Sequence, residues 1–139
     1  MSELVPIGPA LAGMSVPQVL TLEDMIRELG MPEPEYVLEH QFAAGLYMRR
    51  LTVRAGALVT GKLHRKESIL ILLSGAATIW SSDRVYHIAA PHQIVSPAMT
   101  KRVLFSHTAV ELVNVYPTTA TTVEEVEREV IAPDQEALQ

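Results

Sequence analysis

Gly56-Ala-Leu-Val-Thr-Gly-Lys-Leu-His64-Arg-Lys-Glu67-Ser68-Ile-Leu-Ile-Leu-Leu-Ser-Gly75 reads as two β-strands joined by a polar corner, with a histidine and a glutamate where the strands meet. Side chains alternate between the two faces of a strand. With Val59 and Leu63 on the packed side, Thr60, Lys62 and His64 share the opposite face. Ile69 to Leu73 is apolar at every position, the pattern of a strand covered on both faces. Its outer side therefore needs a second sheet, the N-terminal arm or another subunit, and a homodimer is the expected assembly.

From Tyr36 to Tyr116, segments rich in Val, Ile, Leu, Thr and Tyr recur between Gly, Pro, Ser and Asp. Strands are expected near 36–42, 46–54, 57–63, 69–73, 76–80, 84–89, 93–95, 102–106 and 109–116. Many short strands at this spacing indicate a sandwich or barrel. Residues 1–20 carry Pro6, Pro9 and Pro17 without a period and read as an arm. Thr21-Leu-Glu-Asp24 reads as a helix start, with Leu22, Met25, Ile26 and Leu29 as the apolar face and Gly30 as the stop. Near the C-terminus, Thr122-Val-Glu-Glu125 is a capping box, Val123, Val126, Val130 and Ile131 form a stripe, and Pro133 ends the helix. The expected division is an arm and helix over 1–35, a barrel over 36–117, and a C-terminal helix and tail over 118–139.

One domain suits 139 residues, and with 48% apolar but only 5% aromatic residues, aliphatic side chains do most of the packing. A net charge of −5 leaves no electrostatic footprint for nucleic acid. Cysteine is absent, which excludes disulfides, thiolate metal sites and cysteine nucleophiles. The N-terminus does not read as a signal peptide and no run of about 18 apolar residues occurs, so no membrane association and a cytoplasmic location are expected. Neither a Gly-x-Ser-x-Gly elbow nor a phosphate-cradling glycine loop is present.

The five histidines, His40, His64, His87, His92 and His107, include no pair at i, i+2 or i, i+4. His64 with Glu67 can contribute to a Zn, Fe or Ni site, but a stable site needs three or four ligands. Lysine on the same face opposes a second cation there. Convergence of Arg50, Lys62 and Arg102 with Thr60 and His64 points instead to a small anionic ligand, with His64 as a hydrogen-bond donor. The competing reading makes each a surface side chain whose stem covers apolar area. Ser96-Pro97-Ala-Met-Thr-Lys-Arg102 is a second corner able to deliver a side chain to a barrel mouth. His92 is expected in a loop and His107 in a turn, while His40 is undecided. Trp80 and Tyr86 are expected to pair across the Ser81-Ser-Asp83 turn.

The spacing resembles the first motif of the cupin superfamily: a glycine, five residues, His-x-His, three or four residues, a glutamate, six residues and a glycine. With Gly56 and Gly75 as the end glycines, Lys62 and His64 stand at the histidine positions and Ser68 at the glutamate position, Glu67 falling one residue early. Pro97-Ala-Met-Thr-Lys-Arg102 is similar to the second motif, Met99 standing for glycine and Arg102 for histidine. Of four implied ligand positions only His64 is retained. Glu39-His40-Gln-Phe42, Gly61-Lys-Leu-His64 and Thr100-Lys-Arg102 also resemble small cupin-like proteins of phages and prophages, over roughly residues 36–131.

The expectation is an all-β, single cupin-like jelly-roll barrel with a short helix on either side. The favoured function is a non-catalytic module: a phage-associated accessory or structural protein, placed in the host cytoplasm or virion, or a binder of a small anionic ligand, with no cofactor required. The alternative is a metal-dependent cupin enzyme, of isomerase or dioxygenase type, using His64, Glu67 and a divalent metal.

Overall fold

The computed structural model describes residues 13–138, so most of the proline-rich arm lies outside the described residues. Helix α1 spans Val16–Glu28. Nine strands follow: β1 Tyr36–Ala43, β2 Leu46–Val53, β3 Leu58–His64, β4 Ser68–Ser74, β5 Ala76–Trp80, β6 Val85–Ala89, β7 His92–Ser96, β8 Thr100–Ser106 and β9 Val110–Pro117. Helix α2, Val123–Val130, the two-residue strand β10, Ile131–Ala132, and a 3-10 turn over Asp134–Leu138 close the chain.

The strands form two antiparallel five-stranded sheets, ordered β1-β2-β9-β4-β7 and β10-β3-β8-β5-β6. This is a β-barrel of jelly-roll type, and all nine strands expected over 36–116 form within one or two residues of their expected bounds. Val53, Leu70, Leu72 and Leu112 of the first sheet meet Ala77, Ile79 and Leu104 of the second in the main core. Each fully buried aliphatic side chain of this kind contributes about 1.5–3 kcal/mol.

The first helix begins earlier than its sequence suggests. Ser15 caps it, its hydroxyl accepting from the Gln18 backbone N–H while the Gln18 side chain accepts from the Ser15 N–H. Pro17 sits in the first turn, where its missing N–H costs nothing. Thr21 therefore lies inside the helix, donating back to the Pro17 carbonyl at 3.0 Å. The buried residues are Val16 and Val19, whereas Met25 and Leu29 of the expected apolar face are 52% and 73% exposed. At the other end Thr122 caps α2 as expected, accepting from the Glu125 N–H.

Lys101 ties these peripheral elements to the barrel. Its ammonium, only 5% exposed, lies 3.3 Å from both Glu23 of α1 and Asp134 of the 3-10 turn. Trp80 and Tyr86 do not form the expected pair: Trp80 opposes Val85, and Tyr86 opposes Ile79. One residue of register turns the two rings to opposite faces. Only alternate residues of the 69–73 run enter the core, because Leu70 and Leu72 are buried while Ile69 and Leu73 stay exposed on the outside of the first sheet.

Gly75, between β4 and β5, holds φ +87°, and a Cβ there would collide with the Ala109 carbonyl and the Thr108 and Val110 side chains. Gly75→Ala is expected to cost about 3 kcal/mol, combining left-handed strain with overpacking. Urea denaturation of both proteins checks this, and a change under about 0.5 kcal/mol contradicts it.

Candidate ligand site inside the barrel

A break in strand alternation positions the site. The β3–β8 register shifts between Thr60 and Leu63, a bulge on β3. Before it, Val59 and Gly61 face the interior; after it, His64 does, and Leu63 turns outward to pack with Val16 and Ala132. The single face expected for Thr60, Lys62 and His64 is therefore broken. Thr60 lines an outer groove with Tyr36 and Pro34, while Lys62 stands exposed at the rim of the interior cavity.

The cavity, about 70 Å³, has Arg49, Arg102, His64 and Asn114 on its polar side and Leu51, Leu70, Leu104 and Leu112 among its apolar lining. Arg102 is partly buried and lines this space. Its Nη1 donates to Ser96 Oγ and its Nη2 to Asn114 Oδ1 at 3.1 Å. Asn114 Nδ2 in turn donates to Ser68 Oγ at 3.1 Å. Burial, with Arg49 adding like charge, pushes the Arg102 pKa down; a guanidinium nonetheless remains charged at physiological pH.

His64 is buried, its Nε2 3.3 Å from Arg49 Nη2 and its Nδ1 bonded to the Tyr116 hydroxyl. Because guanidinium only donates, Nε2 must accept, and Nδ1–H then donates to the Tyr116 oxygen. Burial first, then the Arg102 and Arg49 charges, lower the His64 pKa to about 2. The ring is the neutral end of a stack that continues through Tyr116, Tyr47 and His40, with centroids 5.7, 6.0 and 5.8 Å apart. His40 thus lies inside, its Nδ1 2.6 Å from the Tyr47 hydroxyl, and Val126 and Val130 of α2 cover the two tyrosines.

Besides Thr60, two of the expected site residues stand elsewhere. Arg50 faces out of the first sheet, bonded to Glu111 and 3.7 Å from Glu39, because Arg49 takes the inward position on β2. Glu67 is exposed on the corner and Ser68 turns inward in its place. Arg49, Asn114 and Tyr116 were not anticipated. Their signals are an Arg49-Arg50 pair in an alternating strand, of which one must face in, and a lone Asn within Leu112-Val113-Asn114-Val115. His92 opens β7 and is exposed, and His107 follows β8, bonding Thr78 at 2.7 Å.

These residues do not fit a divalent metal. The four positions implied as ligands hold Lys62, His64, Ser68 and Arg102, two of them cations. The only imidazole among them spends Nε2 on Arg49 and Nδ1 on Tyr116. Among the described residues, no group of three or more His, Asp or Glu side chains is arranged to hold a metal ion.

No protein-family model and no curated protein sequence matches the chain. Solved structures do match it. A cupin superfamily protein of Desulfitobacterium hafniense is similar over 62% of this chain and 80% of its own, with a TM-score of 0.53 and 11% identity. Salicylate 1,2-dioxygenase of Pseudaminobacter salicylatoxidans is similar over 94% of this chain but 42% of its own, with a TM-score of 0.58 and 12% identity. A protein of Neisseria meningitidis is similar over 68% and 97%, with a TM-score of 0.51 and 12% identity. The fold is therefore the cupin-type jelly-roll barrel, and at these identities the likeness is one of fold. Met99, at the position compared with the glycine of the second motif, holds a left-handed φ of +58°. No described helix is long and apolar enough to cross a membrane.

The His64 shift has a definite sign. The unfolded imidazole takes a proton near pH 6.5 and the folded one only near pH 2, so stability from the neutral ring is full above pH 6.5 and is lost as pH falls below it. From pH 7 to pH 5 the wild type is expected to lose about 2 kcal/mol more than His64→Gln, measured by urea denaturation at each pH. Parallel losses contradict the burial of a neutral His64.

Proposed function

We propose that this chain is a non-catalytic cupin-type module that binds a small anion in the barrel through Arg49 and Arg102, with Lys62 at the rim. One observation carries the reading: among the described residues, neither interior guanidinium has a carboxylate partner. Lys101, next to Arg102 and on the opposite face of β8, has two. An interior cation with neutral partners alone is costly, and an anion about 4 Å away returns about 4 kcal/mol at an effective dielectric of 20. A metal-dependent reaction has no such support, because the lone pair His64 would offer is already accepting from Arg49.

The assembly proposed is a homodimer through the outer face of the first sheet. Met48, Val115, Ile69 and Val95 form one apolar row across β2, β9, β4 and β7, and charges of both signs on Arg50, Glu39 and Glu111 border it. Such a face can meet its own copy about a two-fold axis. The phage-associated accessory or structural role rests on the sequence resemblance alone.

Thermal shift and isothermal titration with acetate against acetamide, and with phosphate, test the site. Stabilisation by at least one anion and none by the neutral isostere is expected. No response to any anion, or stoichiometric metal in purified protein that His64→Ala removes, overturns the reading. For the assembly, light scattering is expected to give twice the chain mass, and Ile69→Lys with Val95→Lys to return the monomer.

A further inference from the structure

Resting on the anion-site reading above, we infer that the ligand is a short-chain aliphatic monocarboxylate, its carboxylate between Arg49 and Arg102 and its hydrocarbon end against Leu51, Leu70, Leu104 and Leu112. Two features of the cavity select this class over other anions.

Polarity is the first. Arg49 pairs with Asn114 across β2 and β9, and Leu51 pairs with Leu112 two residues further along, as Leu104 follows Arg102 on β8, so the lining passes from polar to aliphatic along the strands. A carboxylate keeps both oxygens at one end and matches the planar guanidinium fork. Phosphate or sulfate is polar in all directions and would press oxygens against leucines without donors, each unmet group costing about 1–3 kcal/mol.

Size is the second. The cavity of about 70 Å³ is roughly half the 150 Å³ that holds a benzene ring. It fits a chain of about two to four carbons, and an aromatic acid would have to extend past the Lys62 rim.

Lys62 at the rim shares a surface groove with Arg128, Glu124 and Glu127 of α2, so the charges at the approach balance. Within the cavity Arg102 is already aimed by Ser96 and Asn114, and Arg49 by the neutral His64, so little ordering remains on binding.

The test is isothermal titration of the full chain at constant ionic strength with acetate, propionate, butyrate, succinate, benzoate and inorganic phosphate. Propionate or butyrate is expected to bind at least ten-fold tighter than succinate, benzoate or phosphate. Arg49→Gln, whose amide can still donate to His64, is expected to weaken propionate at least ten-fold while the unliganded melting temperature stays within about 3 °C. Phosphate binding as tightly as propionate overturns the carboxylate class and leaves the anion site standing. Benzoate as the tightest ligand overturns the size limit, and unchanged propionate affinity in Arg49→Gln overturns the placement. If no anion binds, the anion-site reading fails with it.

Discussion

A positive charge inside a barrel constrains every polar group around it, and Arg102 sets that constraint here. Its guanidinium reaches from β8 in the second sheet to Ser96 on β7 and Asn114 on β9 in the first. Asn114 can accept from the guanidinium only by turning its own N–H groups elsewhere, and Ser68 on β4 takes one. Hydrogen bonds to a charged group contribute about 1.5–3 kcal/mol each, so this cross-sheet tie stabilises the closed barrel as well as furnishing its interior. Burial first, then this charge and that of Arg49, keep His64 neutral. A neutral imidazole has one donor and one acceptor, so the Arg49 contact fixes the tautomer and the tautomer fixes the Tyr116 bond. Tyr116 and Tyr47 then present the apolar floor on which Val126 and Val130 of α2 rest.

The interior polar groups are arranged around guanidiniums as ligand atoms are arranged around a metal ion. A bound metal ion is a cation surrounded by acceptors. Around Arg102 stand Ser96 Oγ and Asn114 Oδ1, and around Arg49 stands His64 Nε2, all of them acceptors. The cation here is covalently part of the chain. A metal centre with an open position takes a ligand by coordination, whereas a guanidinium can hold an anion only by charge and N–H hydrogen bonds.

Most of the fold was legible in the sequence because strands and turns are local. Val, Ile and Leu runs bounded by Gly, Pro and Asp located all nine strands, and the Thr122 box located α2. The start of α1 was displaced because the Ser15–Gln18 box lies within a proline-rich stretch, where Pro17 reads as a breaker although it is a good first-turn residue. The site was less legible, for a reason specific to period-two structure. The bulge between Thr60 and Leu63 inverts the alternation of β3, and nothing in Thr60-Gly-Lys-Leu63 announces it beyond one glycine. His64 and Arg102, which the sequence points to, line the cavity, whereas Arg49 faces it in place of the expected Arg50. Choosing between adjacent arginines required the phase of β2, which Tyr47, Leu51 and Val53 set on the inward face. Asn114 and Tyr116 act through partners distant in sequence, which no local pattern reveals.

Lys101 and Arg102 show how one strand handles two buried cations differently. Alternation sends Lys101 outward beneath α1 and the 3-10 turn, where Glu23 and Asp134 neutralise it, and there the charge serves to anchor the two ends of the chain. Arg102 points inward, where neutral side chains meet its N–H groups and no carboxylate of the described residues meets its charge. Hydrogen bonding without neutralisation leaves the electrostatic cost of the charge in place. On the proposed anion-site reading stability and occupancy are linked: at a free ligand concentration a hundred times the dissociation constant, binding would add about 2.7 kcal/mol to the folded state. A barrel furnished for stability alone would have placed an apolar side chain or an ion pair at Arg102, and that contrast is what the proposed anion site explains.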